Sequence, residues 1–150
     1  MPEQLFPVDE PEIEPAGTEE RQVSFGRSWR FDFDKGEFVL TPTGRVAESE
    51  GADAWLEWCQ KALMTARYRY MVYSRSYGQE FEELIGRHLT REANESEIRR
   101  IATECLMVDP RTASVGNFTF QWDGDTVYFT CEVSNVRGET GTVSGMVVIQ

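Results

Sequence analysis

Residues 113–149 read ASVGNFTFQWDGDTVYFTCEVSNVRGETGTVSGMVVI, and their alternation of apolar and polar residues sets the fold class. Successive side chains on an extended chain point to opposite faces, so a period of two marks a half-buried strand. Three segments have that period: Ala113–Trp122, Thr126–Asn135 and Thr142–Ile149. Asp123-Gly124 and Arg137-Gly138 separate them, and both dipeptides favour tight turns. The reading is an antiparallel meander. Its last strand carries Val143, Met146, Val147, Val148 and Ile149 with no guarding charge. An unguarded apolar edge of this kind predicts a pairing partner.

Upstream the period changes to that of a helix. From Asp53 to about Thr65, Ala54, Trp55, Trp58, Cys59, Ala62 and Leu63 fall on one face, with Asp53 as the expected N-cap. A second helix is expected from Gly78, with Phe81, Leu84 and Ile85 as its apolar face, fading at Gly86 and ending near His88. A third is expected from Asn94 as N-cap, with Glu97 completing a capping box. Ile98, Ile101, Ala102, Cys105 and Leu106 form its apolar stripe, and Pro110 stops it. Ahead of the helices, Trp29 to Asp34 alternates, Lys35-Gly36 turns, and Glu37 to Leu40 returns as a hairpin. The fold class is therefore α+β: about three helices packed on a small antiparallel sheet in a domain of residues 25–150. Residues 1–24 are acidic and Pro-rich and read as an extended arm, with Leu5, Phe6 and Val8 as its apolar anchors.

At 150 residues and 40% hydrophobic content, the chain supports one domain with a core of its own. Residues 1–20 hold seven of the 26 acidic residues and none of the 15 lysines and arginines, so much of the net charge of −11 sits in the arm. A strongly acidic chain is a poor ligand for a phosphate backbone, where fixed cations must replace counterions. No apolar run approaches the roughly 20 residues that cross a bilayer. The acidic start is unlike a signal peptide. Cys59, Cys105 and Cys131 are odd in number and widely spaced, as buried thiols in a reducing compartment would be.

Residues 65–78, TARYRYMVYSRSYG, crowd four tyrosines and three arginines into one short segment. On an extended backbone Arg67, Arg69, Tyr73, Arg75 and Tyr77 would share a face. Tyr and Arg are enriched where proteins bury surface against partners, so these five are interface candidates. A half-buried strand using the same aromatics for its own core is the competing reading. Catalytic chemistry is sparse. His88 is the only histidine, which precludes a multi-His metal site, and no Gly-rich phosphate loop occurs. Glu80, Glu82 and Glu83 supply paired carboxylates, but no apolar pocket to raise a general acid's pKa is indicated. No catalytic residue, metal ligand or cofactor is assigned. Two other readings stay open: a small cell-wall, lysozyme-like hydrolase using Glu80 or Glu83, and a nucleic-acid module using Arg67, Arg69 and Arg75.

Several stretches together resemble a known family. They are the helix end CQKALMT at 59–65, the run 66–78, Leu84-Ile85-Gly86, Glu95-Ser96-Glu97-Ile98, the triplet Asp109-Pro110-Arg111, the opening strand Trp29–Phe33 and the closing meander. The set resembles the sheath-initiator baseplate proteins of contractile phage tails and contractile bacteriocins, of the prophage type, over roughly residues 28–145. The family has also been described as lysozyme-like. The resemblance implies a structural, non-enzymatic role in the baseplate of an assembled particle made in the bacterial cytoplasm. Its partners would be the tail sheath protein, baseplate wedge proteins and tail tube and hub proteins, with copies in sixfold array about the tail axis. It further implies that Asp109, Pro110 and Arg111 dock onto the wedge, where the wider family has Glu-Pro-Arg, and that the apolar C-terminal strand pairs with sheath strands. Asp109 is one methylene shorter than that Glu.

Overall fold

A computed structural model describes residues 22–149. The arm assigned to residues 1–24, with Leu5, Phe6 and Val8, lies outside this span except for its last three residues. The meander is observed. Its strands are β5 (Thr112–Asp123), β6 (Thr126–Asn135) and β7 (Thr140–Val148), in the order β5-β6-β7. Gly124 and Gly138 take positive φ values of 58° and 84° at the two turns. Val127, Phe129, Cys131 and Val133 of the central strand are buried. The intervening Tyr128 and Glu132 face solvent on the other side. Phe129 lies across Gly145 of β7, where any side chain would collide with its ring. A glycine in mid-strand therefore has a packing reason.

Two helices cover the buried face. Helix α1 (Ala52–Met64) buries Ala54, Trp55, Cys59, Ala62 and Leu63, the stripe expected apart from the half-buried Trp58. Its N-cap is Gly51 at φ 60°, and Asp53 sits inside the first turn, where its charge favours the helix dipole. Helix α2 (Arg91–Met107) buries the whole expected stripe from Ile98 to Leu106. It starts three residues before Asn94, because the Thr90 hydroxyl accepts the Ala93 amide at 3.2 Å and caps it. Asn94 is buried within the helix, its side-chain amide donating to the Leu89 carbonyl at 3.3 Å. Glu97 points away from the cap, onto Arg100 at 2.9 Å and Arg87 at 3.6 Å. Trp55, fully buried, donates its indole N–H to the Thr112 hydroxyl at 2.9 Å and so ties α1 to the start of β5.

The expectation of three helices on one small sheet is corrected. Among the described residues there are two α-helices, one 3-10 turn (Phe81–Leu84), and seven strands in three small sheets, and the class remains α+β. The expected second helix shrinks to that 3-10 turn. Phe81 and Leu84 are buried, but Ile85 is half exposed in an extended conformation. Gly86 and His88 then take φ values of 76° and 51°, which no right-handed helix continues through. The N-terminal region supplies the additional sheets. Strands β2 (Phe31–Asp32) and β3 (Glu37–Phe38) make the expected hairpin in shortened form, with Phe31 opposite Phe38. Strand β1 (Arg27–Trp29) pairs instead with β4 (Glu48–Glu50), a segment polar enough to read as a connector.

The loop 67–78 is closed at its neck by backbone. Arg67 N–H donates to the Gln79 carbonyl at 2.8 Å, and Gln79 N–H to the Thr65 carbonyl at 2.9 Å. Gly78 stands in this neck at φ 101°, and a Cβ there would lie 2.7 Å from the Thr65 oxygen and 3.0 Å from the Arg67 nitrogen. Both obstacles are main chain and cannot rotate aside. Gly78→Ala is expected to lower the free energy of unfolding by on the order of 1–3 kcal/mol, read as a shift in urea midpoint. An unchanged midpoint would mean that the neck opens at no cost.

Candidate functional site

The triplet at the end of α2 is an internal junction. Asp109 is 7% exposed, and the Arg111 guanidinium grips it as a fork, Nε to Oδ1 at 2.9 Å and Nη2 to Oδ2 at 2.6 Å. The Arg111 backbone N–H also donates to Oδ1 at 2.8 Å. The remaining arm of the fork, Nη1, donates to the Phe25 carbonyl at 2.8 Å. Val136 N–H donates to the Arg111 carbonyl at 2.9 Å, and the Arg137 guanidinium lies 3.9 Å from the centre of the Phe25 ring. The N-terminal segment, the end of α2, the start of β5 and the β6–β7 turn therefore meet at one fork. Both charged heads point inward. What faces solvent beside them is Met107, Val108 and Pro110. Met107 and Val108 were not singled out in the sequence, where two apolar residues at a helix end look like core.

The segment 67–78 is a loop rather than a strand, so the odd-numbered residues do not share one face. Tyr68, with φ 65°, begins the departure from extended backbone. Tyr73 and Tyr77 turn inward. Their rings lie 4.6 Å apart, Tyr77 meets Trp58 edge-on at 5.6 Å, and the Lys61 ammonium sits 5.3 Å over Tyr73. Burial pushes the Tyr77 hydroxyl up to about 12. Arg67 pairs with Glu80 at 3.5 Å and Arg69 with Glu82 at 3.1 Å. The acidic 3-10 turn thus anchors the loop, and two of the three carboxylates considered for hydrolysis are ion-paired to it. Arg75 is exposed, as are Tyr68, Tyr70, Met71 and Val72. Met71 and Val72, side by side in a polar loop, were the available sequence signal and were passed over. Between this loop, α1 and strands β1–β3 lies a cavity of about 670 Å³ lined by Trp29, Phe31, Phe38, Trp58, Tyr73 and Tyr77. Glu57 at its wall is raised above the ordinary carboxylate range by burial.

The third surface is the outer edge of β7. Its inner edge pairs with β6 from Thr140 to Val148, and no strand among the described residues pairs with its outer edge. In an antiparallel pair, alternate residues send both main-chain groups to the same neighbour. Asn135 N–H donates to the Glu139 carbonyl at 2.9 Å, and Ile149 N–H donates to the Asp125 carbonyl at 2.9 Å, so odd-numbered residues of β7 serve β6. Even-numbered residues, Thr142, Ser144, Met146 and Val148, point theirs outward. The side chains follow a separate rule. Val143 and Val147 are buried in the core beneath α1, Ile149 is partly buried, and Met146 and Val148 lie exposed on the far face. The apolar run is thus divided between core and surface.

Burial pushes the Cys59 and Cys105 thiols up to about 12 and Cys131 up to about 11, so all three are neutral at physiological pH and poor nucleophiles. Among the described residues, no group of three or more His, Cys, Asp and Glu could hold a metal ion, and no helix is long and apolar enough to cross a membrane. His88 is exposed.

Residues 27–138 match the family model described as contractile injection system sheath initiator. The chain is 28% identical over 130 residues to the phage-like element PBSX protein XkdS of Bacillus subtilis (strain 168), a similarity spanning 86% of this chain and 88% of that protein. Among solved structures it resembles a chain of the anti-feeding prophage baseplate, determined by cryo-EM and 6-fold symmetrised. That likeness covers 84% of this chain and 87% of the other with a TM-score of 0.51 at 16% identity, and it is a likeness of fold.

Removing one partner of a buried ion pair strands the other charge. Arg111→Ala is accordingly expected to cost about 3 kcal/mol of stability, with Arg111→Lys intermediate because it keeps the charge and loses the fork. Urea unfolding of the purified chain reads both. A loss under about 1 kcal/mol, the ordinary effect of a point change, would show that the fork carries little of the fold and is free for a partner.

Proposed function

The chain belongs to the contractile injection system sheath initiator family, a structural component of the baseplate, and from that premise we propose that it joins the baseplate wedge and hub to the tail sheath. Copies arrayed about the tail axis, in sixfold order, hold the first ring of sheath subunits by strand pairing. The observation that carries this reading is the outer edge of β7, whose even-numbered residues direct N–H and C=O groups away from the sheet. A sheet edge left in this state is the template on which an extended segment of another chain adds as a further strand. Main-chain bonds supply the affinity. Side chains on the exposed face, Met146 and Val148 among them, supply the fit. The proposed partners are therefore the tail sheath protein on the β7 side and wedge and tube or hub proteins elsewhere.

Docking onto the wedge falls to the surface shaped by Asp109, Pro110 and Arg111. Arg111 satisfies its fork within the chain, so it works here by holding the contact in shape, and Met107, Val108 and Pro110 make the contact itself. The loop bearing Arg67, Arg69, Tyr73, Arg75 and Tyr77 offers a second patch, with Tyr68, Tyr70, Met71 and Val72 exposed. Neither contact needs a reactive group, and the role is one of assembly without catalysis, inside a particle built in the bacterial cytoplasm.

Proline separates the two edges of β7, because it deletes a single N–H and fits extended backbone. Val148 points its N–H outward, so Val148→Pro is expected to leave the chain folded and to yield baseplates bearing bare tubes. Val147 gives its N–H to β6, so Val147→Pro is expected to destabilise the chain itself. Electron microscopy of particles and thermal unfolding of the free chains read the two effects. Sheathed tails from Val148→Pro would refute the templating role of this strand.

A further inference from the structure

The outer edge of β7 already has an occupant. Gln60, on α1, donates its side-chain N–H to the Ser144 carbonyl at 2.8 Å and accepts the Ser144 N–H at 3.2 Å through its side-chain oxygen. A primary amide presents one acceptor and two donors. Bound in this way, it makes the same reciprocal pair of bonds that a residue of an added antiparallel strand would make opposite Ser144. Ser144 lies midway along the outward-facing series, between Thr142 and Met146. A strand pairing across Thr142–Val148 needs the space and the groups that Gln60 holds.

The surroundings allow Gln60 to leave while α1 stays. Trp55, Cys59 and Leu63 bury the helix in the core, and Leu56, one turn before Gln60, packs on Gly141 of β7. The Gln60 side chain is itself only partly buried, and rotation about its own staggered torsions frees Ser144 without moving a backbone atom. We propose that Gln60 is the resident stand-in for the partner strand, keeping the centre of the β7 edge satisfied in the free chain and yielding it when that strand adds. This rests on the reading of β7 as the pairing edge.

The device favours one kind of partner over another. Two copies meeting edge to edge would each give up a Gln60 amide. An extended segment carrying no such stand-in displaces one. The incoming strand exchanges the two Ser144 bonds nearly evenly, so its net gain comes from Met146 and Val148. Self-pairing is thereby disfavoured relative to strand addition from a different chain, which an assembly that must not polymerise in solution requires.

Gln60→Met keeps the length and volume of the side chain and deletes the amide. It is expected to raise concentration-dependent self-association in analytical ultracentrifugation by about tenfold, for the loss of two net hydrogen bonds. Adding Val148→Pro to the same chain should return it to monomer. In hydrogen exchange the Ser144 amide is expected to be protected in the native sequence and about tenfold faster in Gln60→Met, with Met146 fast in both. Should Gln60→Met fail to fold, Gln60→Ala serves, since it removes both bonds to Ser144 and alanine is the best helix former at a partly exposed helix position. A monomeric variant with unchanged Ser144 exchange overturns the proposal, as does association that Val148→Pro leaves intact. Sheathed tails from Val148→Pro alone, beside self-association of Gln60→Met, would refute the templating role while leaving the stand-in role of Gln60 standing.

Discussion

The buried fork between Arg111 and Asp109 is the interaction on which the arrangement of the rest depends. Three stretches distant in sequence converge on it: the segment at Phe25, the junction between α2 and β5, and the turn after β6. Two charges taken out of water gain little over an apolar pair of the same shape, because desolvation consumes most of the attraction. What they impose is geometry. An apolar contact tolerates sliding, whereas a bidentate fork with its third arm on a carbonyl admits one arrangement of the chain around it.

From that junction the layer order follows. β5 leaves it with Thr112 tied to the Trp55 indole, so α1 is anchored to the strand farthest from β7. Yet α1 also reaches across to β7, through Leu56 on Gly141 and Gln60 on Ser144. One helix thus spans the buried face of the sheet and overhangs its open edge. The same placement buries Val143 and Val147 and leaves the main chain of the even-numbered residues at the rim. Stability and accessibility of the edge come from the same packing.

Much of the core was legible because burial imposes a period. The stripe of α2 from Ile98 to Leu106, the stripe of α1 around Trp55 and Cys59, and the three strands of the meander repeat at the spacing their backbone requires. Helix starts were less legible. Asn94 and Asp53 are good capping residues, yet a cap depends on where the preceding chain turns, and Thr90 and Gly51 hold those positions. The helix expected after Gly78 failed for a related reason. Phe81 and Leu84 supply a single turn's worth of apolar face, and the positive φ values at Gly86 and His88 end it.

Sequence by itself determined the α+β class, the central core and the family resemblance, since all three reside in local spacing and residue type. Tertiary structure alone decided what the candidate residues do. Asp109-Pro110-Arg111 reads the same along the chain whether its fork is free or buried, and the approach of Phe25 from the other end of the domain takes up its remaining arm. Arg67, Arg69, Tyr73, Arg75 and Tyr77 would share a face on a strand, but the neck at Gly78 folds them into a loop that sends Tyr73 and Tyr77 inward. Gln60 is one polar residue on an amphipathic helix until β7 is laid beside it. These are contacts between residues far apart in the chain, and a local period carries no record of them.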